Sequence, residues 1–500
     1  MKPQIFSWLN VPKAPAGVFV TLTTFVLVAS LYALPLLIMP AQPARAREAL
    51  NDDIIVNSSL DTHDWLPGDG ICADSGFNCT LRAAIEEAND LPGADKIIFD
   101  SKMDIQLDTT IGALPDISEK LRIDASSVWD SGGNKPGVTV NGGSQTFTGL
   151  RLLAGNCEVY GLLLKNFSYA VGIYNSANNT IGGPLHGQRN VINNNKSFGV
   201  SIHGTASHHN VVSGNWIGLS VSGDTKAPND VGIQISGGAY QNTIGGDAPG
   251  KGNYISGNKQ NGVEIIGAGS DGNRLGANFI GLPALGSADN LGNDRAGVYI
   301  NNGPTNTYIG SSASDLYDNE ISLNGTDGVL IWDSSGNWVE SNLFFANKLN
   351  GVDIVDGADN SISSNTILFS IANGVRVSGS AAVGNTILAN SIYFNLGQGI
   401  DLFQGGNTEL PAPVILTVNA TEASGTGCAG CIVHLYSDPE DEGAYYEGFS
   451  YVDGSGSWSY AGVLMGPNVT ATNTDASGNT SEFSAPRKFL PLFLPVVVRN

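Results

Sequence analysis

Between residues 171 and 407 the chain repeats one order of apolar and polar positions. A glycine is followed by a β-branched residue, a variable residue and a second apolar residue. The pattern reads Gly199-Val-Ser-Ile, Gly232-Ile-Gln-Ile, Gly262-Val-Glu-Ile and Gly297-Val-Tyr-Ile. It continues as Gly328-Val-Leu-Ile, Gly351-Val-Asp-Ile, Gly374-Val-Arg-Val and Gly399-Ile-Asp-Leu. A second pattern, Asn-x-apolar, comes in pairs five residues apart, as in Asn273 with Asn278 and Asn337 with Asn342. The last three intervals between the glycines are 23, 23 and 25 residues. Earlier intervals are longer, and the excess falls in loops at 182–188, 220–230, 245–252 and 283–296.

Each unit of about 23 residues holds three short pieces with period-2 alternation, which reads as three short strands. One unit cannot bury its apolar side alone, whereas stacking units at about 4.8 Å buries Ile and Val in continuous columns. Asn tolerates left-handed backbone, and its amide can bond the Asn above and below. Glycine fits where no Cβ does. The prediction is an all-β chain built on a right-handed parallel β-helix. Leucine-rich and propeller repeats have other signatures, which this sequence lacks.

Upstream, Lys96-Ile-Ile-Phe, Leu121-Arg-Ile-Asp, Val138-Thr-Val and Tyr160-Gly-Leu-Leu-Leu-Lys read as less regular first rungs. Before them Leu81, Ala84, Ile85 and Ala88 make a helical stripe, with Thr80 as N-cap. Such a helix can close the open end of a solenoid. After Pro411 and Pro413 the alternation changes to strands separated by Gly, Ser and Asp turns, which predicts a small β-sandwich. The expected organisation is a signal peptide or anchor at 1–46, a cap at 52–94, the β-helix at 95–407, a sandwich at 411–486 and an apolar tail at 487–500.

The run Gly68-Asp-Gly-Ile-Cys72, followed by Cys79-Thr-Leu-Arg-Ala-Ala-Ile-Glu-Glu-Ala-Asn89, resembles the CSLREA-type N-terminal module of bacterial surface β-helix proteins. That family carries Glu where this chain has Ala83. The Asn-Thr-Ile-Gly-Gly and Gly-Asn-x-Ile-Ser-Gly-Asn units are similar to the repeats of the same family. The resemblance spans about residues 52–407. It implies a pectate-lyase-like superfold and export to the surface, without implying one activity. The ending Thr474-Asp-Ala-Ser-Gly-Asn-Thr-Ser-Glu-Phe483 is similar to bacterial Ig-like modules.

Composition narrows the function. Of 48 Asn, 34 lie between residues 171 and 407, as turn ladders would require. The net charge of −22 excludes a basic nucleic-acid-binding surface and weighs against anionic substrates unless calcium bridges them. An apolar run at 16–39 followed by Ala44-Arg45-Ala46 reads as an export signal, with an uncleaved membrane anchor as the rival. Export permits disulfides, so Cys72 with Cys79 and Cys428 with Cys431 are expected pairs, leaving Cys157 as a buried thiol. The predicted location is secreted or cell-surface, and the oligomeric state is left open.

In Gly-Val-x-Ile the x position faces outward. One outward column then reads Ser201, Gln234, Glu264, Tyr299, Leu330, Asp353, Arg376, Asp401, and the next includes Trp332 and Phe403. Asp353 and Asp401 would lie two rungs apart, about 9.6 Å at ~4.8 Å per rung. That is close to the separation of a carboxylate pair for polysaccharide hydrolysis, but Arg376 between them would hold both ionised and argues against a general acid. The plainer expectation is a surface charge ladder. Asp353, Asp356 and Asp359 could hold calcium for a lyase, but a solvated acidic turn is the simpler expectation, and no metal or cofactor is assigned. Tyr299, Trp332 and Phe403 are candidate contacts for a polysaccharide or an envelope surface. The favoured reading is a binding or structural role, with a lyase or hydrolase as the alternative.

Overall fold

The computed structural model describes residues 53–143, 146–287, 290–310 and 318–489. The apolar run at 16–39, the 1–46 signal and residues 490–500 of the tail lie outside the described residues.

Three parallel sheets of 12, 11 and 10 strands wind through the chain in turn, one strand of each per rung, as a right-handed β-helix. Their inward positions are the Ile and Val columns of the sequence. In the first sheet Ile181, Val212, Ile244 and Leu275 stack in register, and in the second Ile192, Ile217, Ile255 and Ile280 do so. All are fully buried in one continuous core. The repeated glycine has a steric cause. A Cβ on Gly328 would lie 2.6 Å from the Gly351 carbonyl oxygen of the next rung and as close to the Phe344 ring.

Buried asparagines secure the stacking. One ladder runs Asn190, Asn215, Asn253, Asn278, Asn319, Asn342, Asn365, Asn390. Each Oδ1 accepts from the backbone N–H and side-chain amide of the Asn one rung before. A second ladder, Asn195 to Asn347, and a third, Asn179 to Asn273, repeat the device. These amides replace the water that a buried turn would otherwise need.

The helix Leu81–Asp90 caps the N-terminal end, and the Thr80 hydroxyl accepts from the Ala83 N–H as expected. Arg82 is buried against Asp61 at 2.8 Å and donates to the Gly112 and Ala113 carbonyls, tying the cap to the next loop. One boundary differs from the expected one. Asp53–Val56 pairs in parallel with Asp95–Phe99, so the first sheet begins inside the predicted cap.

At the other end two antiparallel sheets, of three and four strands, enclose a second core around Val433, Leu435, Trp458 and Val469. Arg487–Lys488 of the predicted tail adds an edge strand to this sandwich. The sandwich closes the last rung: Thr480 N–H donates to the Asn385 carbonyl, and Ile392 exchanges backbone bonds with Gly443. Cys72–Cys79 and Cys428–Cys431 are bonded, whereas Cys157 is free, buried and pushed up in pKa by burial.

Candidate functional site

The third sheet carries the outward columns read from the sequence. Ser201, Gln234, Glu264, Tyr299, Leu330, Asp353, Arg376 and Asp401 are partners in successive strands. Trp332, Val355, Ser378 and Phe403 align beside them. Trp332 is 47% exposed and Phe403 43%, whereas Tyr299 is half-buried. The Arg376 guanidinium lies 4.9 Å above the Phe403 ring.

Arg376 stands 3.6 Å from Asp401 and 4.0 Å from Asp353, so a ladder of alternating charge forms. The structure departs from the expectation that Arg376 keeps both acids ionised. Burial, with repulsion from Asp327 and Asp401, outweighs Arg376 and raises the Asp353 carboxyl to about 7. Asp353 is 7% exposed, and its Oδ1 has no hydrogen-bond partner. Asp356 and Asp359 adopt left-handed turn backbone and are exposed. Among the described residues no group of three or more His, Cys, Asp or Glu is arranged to hold a metal ion.

The second sheet carries a feature that the sequence reading missed. Its outward column is Val191, Trp216, Tyr254, Phe279, Glu320, Leu343, in register over successive rungs. Loops at 183–189 and 248–252 stand beside this column and help enclose a cavity of about 760 Å³. Tyr254 and Phe279 stack along the axis, with centroids 4.6 Å apart and planes 11° from parallel. Trp216 is nearly buried, with the Arg189 guanidinium 4.1 Å above its ring. The Trp129 ring lies 5.7 Å from the same guanidinium.

Arg189 is the electrostatic anomaly of this groove. Its Nη1 has no hydrogen-bond partner, and among the described residues no carboxylate lies within ion-pair distance of it. Its one side-chain contact with a polar group is a 3.5 Å approach to the His186 Nδ1. Burial lowers both the Arg189 and His186 pKa values, because a covered site disfavours the cation. At the far end, three rungs beyond Trp216, burial raises the Glu320 carboxyl. The groove therefore has a cationic end, an aromatic middle and an acidic end. A signal for it existed in the sequence: each Asn of the second-sheet ladder precedes one outward residue, as in Asn215-Trp216, Asn253-Tyr254, Asn278-Phe279 and Asn319-Glu320.

The family described as right handed beta helix region matches residues 246–411, in agreement with the three parallel sheets. Comparison with curated proteins gives no match. Among solved structures, a point mutant of the periplasmic alginate epimerase AlgG is similar at 15% identity and a TM-score of 0.36, over 62% of this chain and 65% of that one. The A-module of a mannuronan C-5 epimerase of Azotobacter vinelandii is similar at 15% identity and 0.35, over 71% and 88%. An alginate lyase from a Paenibacillus species is similar at 12% identity and 0.28, over 70% and 98%.

Proposed function

We propose that this chain is an exported β-helix protein that binds a polysaccharide along its second sheet. The observation that carries this reading is the groove of about 760 Å³ with Tyr254 and Phe279 in its floor. Aromatic side chains supply apolar contact, while Glu320 and the Tyr254 hydroxyl supply hydrogen bonds to sugar hydroxyls. Trp332 and Phe403 are further contacts of the same kind on the third sheet, with Tyr299 more covered. Two disulfides and the apolar N-terminal run support export to the cell surface or beyond it. The partner is then a polysaccharide of the envelope or its surroundings.

A second reading, a hydrolase or lyase acting on the third sheet, has one observation in its favour. Asp353 titrates near 7 and has an unpartnered oxygen, as a general acid requires. Its burial, with Arg376 at 4.0 Å, makes binding at the groove the better supported reading. The test is a panel of immobilised acidic and neutral polysaccharides, with and without calcium, assayed for both retention and product release. Retention without product supports the proposal. Product release that Asp353→Asn abolishes favours the second reading, and neither retention nor release overturns both.

A further inference from the structure

We infer that the cationic end of the groove binds an oxyanion carried by a saccharide, a carboxylate or a sulfate, through Arg189. This rests on the groove reading and names the class of its ligand. Among the described arginines, Arg274, Arg295 and Arg487 have no carboxylate within ion-pair distance, and all three are exposed. Arg376, Arg122, Arg151 and Arg82 each have a carboxylate partner. Arg189 has none among the described residues, although it is half-buried beside the cavity.

Covering a guanidinium is costly unless its N–H groups are satisfied. Arg189 Nη1 is buried without a hydrogen-bond partner, and the Trp216 ring lies 4.1 Å from the guanidinium. Arg189 borders the cavity, so the part of its guanidinium that reaches the wall can donate to an oxyanion held there. The exposed His186 beside it holds Asn134 Oδ1 through Nε2 and meets Arg189 through Nδ1, so it positions the guanidinium. Asp318 and Glu320 line the opposite end, so the groove sets one orientation: anionic group at Arg189, hydroxyls at Glu320. The local site thereby reverses the inference drawn from net charge alone. At 0.15 M salt the remote acids are screened over about 8 Å, whereas the guanidinium touches its ligand.

The test is calorimetric titration of the full chain with four probes: a neutral tetrasaccharide, a tetrasaccharide of uronic acids, a sulfated tetrasaccharide and inorganic sulfate. The expected result is at least tenfold tighter binding of one anionic tetrasaccharide than of the neutral one, weakening as salt rises. Inorganic sulfate binds at least tenfold more weakly than that saccharide. Arg189→Gln brings the anionic saccharide down to the affinity of the neutral one, while Arg189→Lys retains part of the preference. The wild-type salt dependence serves as the readout should Arg189→Gln fail to fold. Equal affinity for neutral and anionic saccharides overturns the inference and leaves the groove reading intact. Anionic binding that survives Arg189→Gln also overturns it, as does bare sulfate binding as tightly as the saccharide. No binding of any saccharide overturns both.

Discussion

Two outward faces of the same solenoid treat a half-buried cation in opposite ways. On the third sheet Arg376 lies between Asp353 and Asp401, and the three side chains answer one another. On the second sheet Arg189 lies over Trp216 with no carboxylate beside it and open space next to it. Both faces stand on rungs stacked in parallel register over the same asparagine ladder. The difference is made by what projects outward. Charge alternation closes a face onto itself, whereas aromatic residues flanked by loops leave a cation unanswered and a groove open. A paired row of charges is therefore weaker grounds for a site than a half-buried arginine left unpaired beside a cavity.

The largest expected effect concerns the support that both faces share. Asn278 is fully buried; it accepts from the Asn253 N–H and amide and donates to the Ile244 carbonyl and Asn319. Asn278→Ala leaves several of these groups unpaired and should cost about 3 kcal/mol or more, read by chemical denaturation. The groove residue Phe279 follows it directly, so saccharide binding should weaken as well. Substituting the exposed Lys348 by Ala should change stability by less than about 0.5 kcal/mol.

A smaller effect separates the faces by pH. The Asp353 carboxyl is raised from 3.8 to about 7, and that of Glu442, at the junction with the sandwich, from 4.5 to about 7. Each holds its proton more tightly in the folded chain than in the unfolded one. Their favourable contribution is complete below about pH 4 and is lost as pH rises through 7. Asp353→Asn should match the wild type near pH 4 and exceed it at pH 8, by on the order of 2 kcal/mol. Saccharide binding at the second sheet should be unchanged by this substitution.

The smallest effect on stability is the sharpest contrast. Arg376→Gln strips Asp353 and Asp401 of their shared cation and should cost about 1–2 kcal/mol at pH 8, less at pH 5, where Asp353 is protonated. Arg189→Gln removes a cation that nothing neutralises. It should be neutral or slightly stabilising, within about 0.5 kcal/mol, while costing affinity for an anionic saccharide. Equal destabilisation by the two substitutions would erase the distinction between the faces.

Much of this was legible in the sequence, for reasons that particular residues make plain. The repeated glycine sets the phase of each third-sheet strand, and four residues with period 2 then fix which side chains face out. That is why the column from Ser201 to Asp401 could be written down in register. Thr80, the ladder asparagines and both cysteine pairs were legible because each acts within its own turn or one rung away. The second-sheet strands are often two residues long, as in Trp216–Ile217 and Phe279–Ile280, so each offers a single outward residue and no alternation to read. The groove also depends on loops at 183–189 and 248–252, whose course the repeat does not dictate. The pKa of Asp353 was misjudged because Arg376 is visible along the column, whereas burial beside Asp327 in the neighbouring turn is not.

The central claim is that the second sheet, and not the charge ladder, is the binding face. Amide hydrogen exchange with and without a saturating bound tetrasaccharide tests it most directly. The account predicts slowed exchange at 183–189, 214–217 and 248–254, with residues 328–333 and 351–356 unchanged. Protection confined to 328–333, 351–356 and 374–378 would contradict it and move the site to the Asp353–Arg376–Asp401 ladder.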